Sequence, residues 1–253
     1  MLFQVVTIFP RMFESYFNQS ILKKALDSEI IRFNIIDLRN YADSPHKVTD
    51  DYPYGGDPGM VMKPEPLFKC IKNLKTSCQE KSLVVYLTPD GRLFNQNIAK
   101  ELSQHKNLIL ICGRYKGIDE RVRESLVDEE ISIGDYVVTG GELAAMVVID
   151  TVSRMIPEVL GCDGSAQTDS FYSGLLSYPI YTRPPVYEGK KVPEILLSGN
   201  HSEISCWQRY QALKRTYLRR PELLENAELS EKDKKYLDEI KEELSKNKQL
   251  IVD

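Results

Sequence analysis

Cys112-Gly113-Arg114-Tyr115-Lys116-Gly117-Ile118-Asp119-Glu120-Arg121, followed by Ser132-Ile133-Gly134-Asp135-Tyr136-Val137-Val138-Thr139-Gly140-Gly141-Glu142-Leu143-Ala144-Ala145-Met146, is the stretch that decides how this chain is read. In each half an apolar strand ends in a glycine-rich bend that carries charged or hydroxyl groups. Glycines let a backbone turn tightly and approach a ligand closely. Two such bends, roughly 20 residues apart, can form the walls of one small-molecule cleft.

The surrounding pattern alternates strands with helices. Residues 2–9 and 30–36 read as strands, and 10–26 as a helix with Phe13, Phe17, Ile21 and Leu22 on one side. Residues 83–87 and 108–112 are short apolar runs of the kind buried in parallel sheets, with a helix expected over 95–104 between them. Residues 141–155 have the length and small side chains of a closely packed helix. Strand–helix alternation predicts an α/β domain with a parallel sheet over residues 1–161. Residues 162–176 open polar and weakly periodic, and read as a flexible interdomain linker. A Pro-rich stretch over 178–193 follows, then a helical part: 202–218 has helical spacing, and Ser230 is an N-cap candidate for a last helix to about Lys246. Residues 177–253 are therefore expected to form a small, mainly helical C-terminal domain.

Composition narrows the class. The 253 residues are 42% hydrophobic, enough for a sizeable core. No window approaches the ~18 consecutive apolar residues that span a bilayer. The apolar start lacks a basic lead and a cleavage site, so it reads as a core strand. Five scattered cysteines without a CxxC pair fit a reducing cytoplasm, and the presence of only three histidines (His46, His105, His201) argues against a histidine metal cluster. Net charge is −4, yet residues 208–221 carry Arg209, Lys214, Arg215, Arg219 and Arg220 with no acid among them. A local basic stripe can hold phosphates on an anionic protein; a solvated helix face is the plainer alternative. Trp207, Tyr210 and Tyr217 interleave with the stripe, as bases' stacking partners or, more ordinarily, as core.

Four further blocks accompany the bends: Asp51-Tyr52-Pro53-Tyr54-Gly55-Gly56-Asp57-Pro58-Gly59-Met60, Leu87-Thr88-Pro89-Asp90-Gly91-Arg92, Leu197-Ser198-Gly199-Asn200-His201 and Arg219-Arg220-Pro221-Glu222-Leu223-Leu224. In order and over nearly the whole chain they resemble the bacterial tRNA (guanine-N1)-methyltransferases of the knotted SPOUT methyltransferase superfamily. That resemblance, not periodicity, implies a deep C-terminal trefoil knot in the first domain. It implies methyl transfer from S-adenosyl-L-methionine to N1 of guanosine 37 in tRNA, with preference for a guanosine preceded by another. It also implies a cytoplasmic homodimer with active sites across the interface, and a dependence on Mg2+ whose ligands the sequence does not show.

Matching positions imply Pro89, Gly91, Gly113, Ile133, Gly134, Tyr136, Val138, Gly140 and Gly141 as the methyl-donor site, Asp169 as general base and Arg154 as the cation that stabilises charge on guanine O6. On residue type alone, Asp169 is as readily a turn or N-cap aspartate, and Arg154 a helix C-terminal arginine. Two positions depart from the family pattern: Lys116 replaces a glutamate and Asp57 a glycine, with Asp57 a candidate for restoring the lost negative charge. The rival readings are a SPOUT enzyme with another target atom or RNA, and a non-catalytic RNA-binding protein on the same scaffold.

Overall fold

The computed structural model describes residues 1–160 and 168–249. The chain falls into two compact units, Met1–Asp163 and Gly164–Asp253. Part of the expected linker, residues 162–167, lies outside the described residues.

In the first unit, β1 (Leu2–Thr7), β2 (Arg32–Asp37), β5 (Ser82–Leu93), β6 (Asn107–Cys112) and β7 (Glu129–Ser132) form one sheet, while β3 (Asp50–Asp51) and β4 (Val61–Met62) form a short antiparallel hairpin. The sheet order is β2-β1-β6-β5-β7 and every pairing in it is parallel. β6 is central and buried along its whole length. Side chains alternate across the sheet. Phe3, Val5, Val85, Leu87, Leu108 and Leu110 enter one apolar cluster; Val6, Val84, Tyr86, Ile109 and Ile111 enter the other. Helices α1 (Glu14–Phe17), α2 (Ser20–Asp27), α4 (Gln96–Leu102) and α6 (Gly141–Ser153) supply the first cluster; α3 (Pro64–Ser77) and α5 (Glu120–Leu126) supply the second. Covering both faces is what lets a parallel sheet be apolar throughout. This is the expected α/β architecture.

Several elements differ from expectation. The helix expected over 10–26 is broken, because Gln19 adopts an extended conformation (φ −134°, ψ 157°) between α1 and α2. α3, α5 and β7 were not anticipated. The strand expected over 83–87 runs on to Leu93, but in two halves: Leu87 and Arg92 both pair with Ile131, so residues 88–91 bulge out of the sheet.

The second unit is built on α7 (His201–Arg219) and α8 (Glu231–Gln249), with a small hairpin of β8 (Val186–Tyr187) and β9 (Lys190–Lys191). Leu175, Leu213, Leu237 and Ile240 form its core. Asn200 caps α7 by accepting from the Glu203 N–H. Ser230 caps α8 as expected: its Oγ accepts from the Asp233 N–H at 3.2 Å, and the Asp233 carboxylate accepts from the Ser230 N–H at 2.9 Å. Among the described residues no helix is long and apolar enough to cross a membrane.

Candidate functional site

The two glycine bends meet. β6 ends at Cys112, and the carbonyl of Gly113 accepts a 2.9 Å hydrogen bond from the N–H of Gly141, the first residue of α6. Arg114 and Gly140 form an isolated antiparallel bridge beside it. The approach leaves no room for side chains: a Cβ on Gly141 would lie 2.7 Å from the Cys112 Cα. The bulge of β5 completes the enclosure. Together these three segments surround a cavity of about 310 Å³.

Of the positions expected to hold the methyl donor, Pro89, Gly113, Ile133, Gly134, Tyr136, Val138, Gly140 and Gly141 line this cavity. Gly91 does not. It lies behind the wall, where a Cβ would fall 2.3 Å from the Ile131 backbone nitrogen. Its part is to let the bulged strand close onto β7 and so hold residues 88–90 out over the cavity. Lys116, which departs from the family pattern, lines the site as well, and so do Tyr86, Leu87, Asp90, Arg114 and Ala144, which the sequence does not mark as donor-site residues. Arg114 and Lys116 sit in the quoted bend itself, whereas Tyr86 reaches the site only through sheet register.

The walls combine apolar side chains with backbone amides and carbonyls, the mixture that suits a flat heteroaromatic ring and a ribose. Their charges are mostly neutralised locally. Glu142, in the first turn of α6, is fully buried. Its carboxylate accepts from Thr7 Oγ1 at 2.8 Å and from Arg114 Nε at 3.0 Å. The α6 N-terminus favours the same negative charge. Arg114 also donates to the Thr139 carbonyl and lies over the Phe9 ring at 4.4 Å. Asp90 pairs with Arg123 at 3.1 Å, and Arg123 grips Glu130 through two 2.8 Å hydrogen bonds. The Glu130 bonds raise the Arg123 pKa further. Burial raises the Tyr86 phenol and, more strongly, the Cys112 thiol above their ordinary values, so both are neutral donors at pH 7.

These carboxylates do not suit Mg2+. Asp90 and Glu142 are committed to arginines, and Lys116 stands where the family resemblance places a glutamate. Among the described residues no group of three or more His, Cys, Asp or Glu side chains could hold a metal ion.

Arg154 is the C-cap of α6, its N–H bonded to the Asp150 carbonyl at 3.1 Å. Asp169 is an exposed residue of the second unit whose carbonyl accepts from the Tyr172 N–H. Arg154 does not line the cavity.

The basic stripe lies along α7 and just beyond it, and much of it is engaged within the unit. Arg209 forms a two-bond pair with Asp233, 2.8 and 3.0 Å, that draws the Asp233 carboxyl down to about 2. Lys214 pairs with Glu243 at 2.7 Å, Arg215 donates to the Ser177 carbonyl and Arg220 pairs with Glu222. Arg219 is exposed. Tyr210 and Tyr217 pack against the core of the unit, with the Tyr210 ring edge-on to Tyr236 at 5.4 Å. That is the core role rather than an open stacking platform.

Over residues 1–226 the chain matches the family model described as tRNA (Guanine-1)-methyltransferase TrmD. It is 55% identical over 240 residues to the tRNA (guanine-N(1)-)-methyltransferase of Dictyoglomus turgidum, covering 95% of this chain and 96% of that one. The like-named proteins of Dehalococcoides mccartyi and Bacillus cereus are 53% and 50% identical, covering 93% and 94% of this chain and 95% and 98% of theirs. The chain therefore belongs to the tRNA (guanine-1)-methyltransferase TrmD family.

Proposed function

We propose that this protein transfers the methyl group of S-adenosyl-L-methionine to N1 of guanosine 37 in tRNA, next to the anticodon. The observation that carries the reading is the pair of hydrogen-bonded glycine bends around a cavity of backbone and apolar side chains. The family relationship supplies the reaction.

The chemistry sets three demands. Guanine N1 carries a proton and is a poor nucleophile until it is removed. Charge then develops on O6. The nucleophile and the methyl carbon must be aligned. In our reading Asp169 accepts the N1 proton, and the nitrogen's electron pair forms the new N–C bond as the C–S bond breaks toward sulfur, leaving a neutral thioether. The Arg154 guanidinium balances the negative charge on O6. That stabilisation acidifies N1 and eases transfer of its proton to Asp169. The cavity walls fix the adenosine part of the donor, with Ile133 and Val138 as apolar faces.

The knotted form of the first domain, residues 1–161, belongs to this proposal. It is supported by the way the 88–91 bulge, the 113–117 bend and the 133–141 segment close on one another. A homodimer with active sites across the interface is supported by the exposed apolar residues Tyr136 and Val137, which line the cavity, and Phe9, Met12, Leu143 and Val147 in the same unit. We assign tRNA binding to the domain of residues 177–253, with Arg219 leading the phosphate contacts; Arg209 and Lys214 would join them only by exchanging their carboxylate partners. The linker of residues 162–176 and a cytoplasmic location complete the reading.

Equilibrium binding of S-adenosyl-L-methionine and of tRNA, measured separately, tests it. Binding of both is expected. Binding of tRNA without the donor would favour the non-catalytic RNA-binding alternative.

A further inference from the structure

Three charged residues line the cavity: Asp90, Arg114 and Lys116. Asp90 is balanced by Arg123 and Arg114 by Glu142. Lys116 forms no ion pair among the described residues, so the cavity keeps one uncompensated positive charge. Asp57, the residue expected to offset it, makes no ion pair with it.

The lysine is also placed with care. Its N–H donates to the Met60 carbonyl at 3.0 Å, and the Gly117 N–H closes a turn onto the Arg114 carbonyl at 3.0 Å. Within that turn Tyr115 holds φ +60°, a left-handed conformation that costs a side-chain-bearing residue about 1–3 kcal/mol and recurs where geometry serves a ligand. The Lys116 stem lies along Gly59: a Cβ there would sit 3.2 Å from Lys116 Cγ and 3.5 Å from Cε. The stem is thus supported along Gly59 while the residue itself lines the cavity.

We propose that Lys116 holds the carboxylate of the amino-acid end of the methyl donor. This inference rests on the donor assignment above. S-adenosyl-L-methionine carries a sulfonium, an ammonium and a carboxylate. A fixed lysine repels the first two and attracts only the third. The carboxylate therefore turns toward Lys116 and the sulfonium away from it, which fixes the direction in which the methyl group points. The same charge makes the site favour the neutral thioether product, S-adenosyl-L-homocysteine, over the cationic donor.

The test is calorimetric titration of the full chain and of Lys116→Met, which keeps the stem against Gly59 and removes only the charge. Two probes are used: S-adenosyl-L-homocysteine and its decarboxylated analogue. Loss of a charge-assisted contact is expected to weaken the homocysteine compound by about tenfold or more, while the analogue, which keeps only the ammonium, binds as tightly as before or more tightly. Equal weakening of both probes, or of neither, would overturn the proposal. Unchanged binding of both probes with weaker tRNA binding would overturn it in favour of an RNA phosphate as the oxyanion. If the unsubstituted chain binds neither probe, the donor assignment itself fails, which is a different result.

Discussion

Gly91 approaches Ile131 so closely that a Cβ would stand 2.3 Å from the Ile131 backbone nitrogen. The contact joins the two halves of a strand whose register slips between Leu87 and Arg92. It therefore packs the cavity wall onto β7. Gly91→Ala is expected to destabilise the first unit by about 1–3 kcal/mol, the usual cost of overpacking. Because residues 88–90 move with it, donor affinity should fall as well. Thermal unfolding and donor titration of the variant check both effects; a fully stable variant with unaltered affinity would refute the role.

The Glu142 carboxylate is buried with Thr7 and Arg114 as its partners. Replacing it with Gln leaves the largely buried Arg114 guanidinium without a counter-charge. The expected cost is about 3–5 kcal/mol. Arg114→Gln in the same chain removes the orphaned charge and should recover part of that loss. Denaturant unfolding of the single and double variants measures the difference.

In the second unit Asp233 ties α8 to α7 through Arg209, and its carboxyl pKa falls from 3.8 to about 2. A carboxyl whose folded pKa is lowered contributes stability above its unfolded pKa and loses it on acidification. The contribution is therefore complete above about pH 4 and is lost as pH falls toward 2, with a ceiling of roughly 2 kcal/mol. Asp233→Asn should lower stability at pH 7 and flatten the acid limb between those values. Unfolding at a series of pH values reads both.

Asp169 and Arg154 are assigned to chemistry, and Arg154 does not line the donor cavity. Asp169→Asn is expected to lower methyl transfer by about 10²–10⁴-fold, the range for loss of a general base. Arg154→Ala should lower it by about 10²–10³-fold, the range for loss of an oxyanion partner. Donor affinity should be unchanged in both. A parallel loss of donor binding would reassign the residue to the donor site.

The legible parts of the fold are those governed by local pattern. The run Leu108-Ile109-Leu110-Ile111-Cys112 announces a buried strand, and the capping pair Ser230–Asp233 announces α8. α3 carries a readable signal: prolines at its start, then Leu67, Cys70, Ile71 and Leu74 at helical spacing. β7 had almost none. It is four residues long, two of them glutamates, and exists because β5 pairs with it. The cavity's glycines were readable, since each bend announces a close approach. The charge pairing was not. Arg123 meets Asp90 and Glu130, and Arg209 meets Asp233, only after the chain has folded. For that reason the basic stripe looked freer in the sequence than it is, and Lys116 could be identified as the cavity's unbalanced charge only from the structure.

Methyl transfer to N1 of guanosine 37 is read most directly by supplying labelled S-adenosyl-L-methionine and the full chain to two tRNA transcripts, one with guanosine and one with adenosine at position 37, and analysing the nucleosides formed. N1-methylguanosine is expected from the first transcript and no labelled nucleoside from the second. Label in both transcripts, or in a ribose or another base atom of the first, would contradict it.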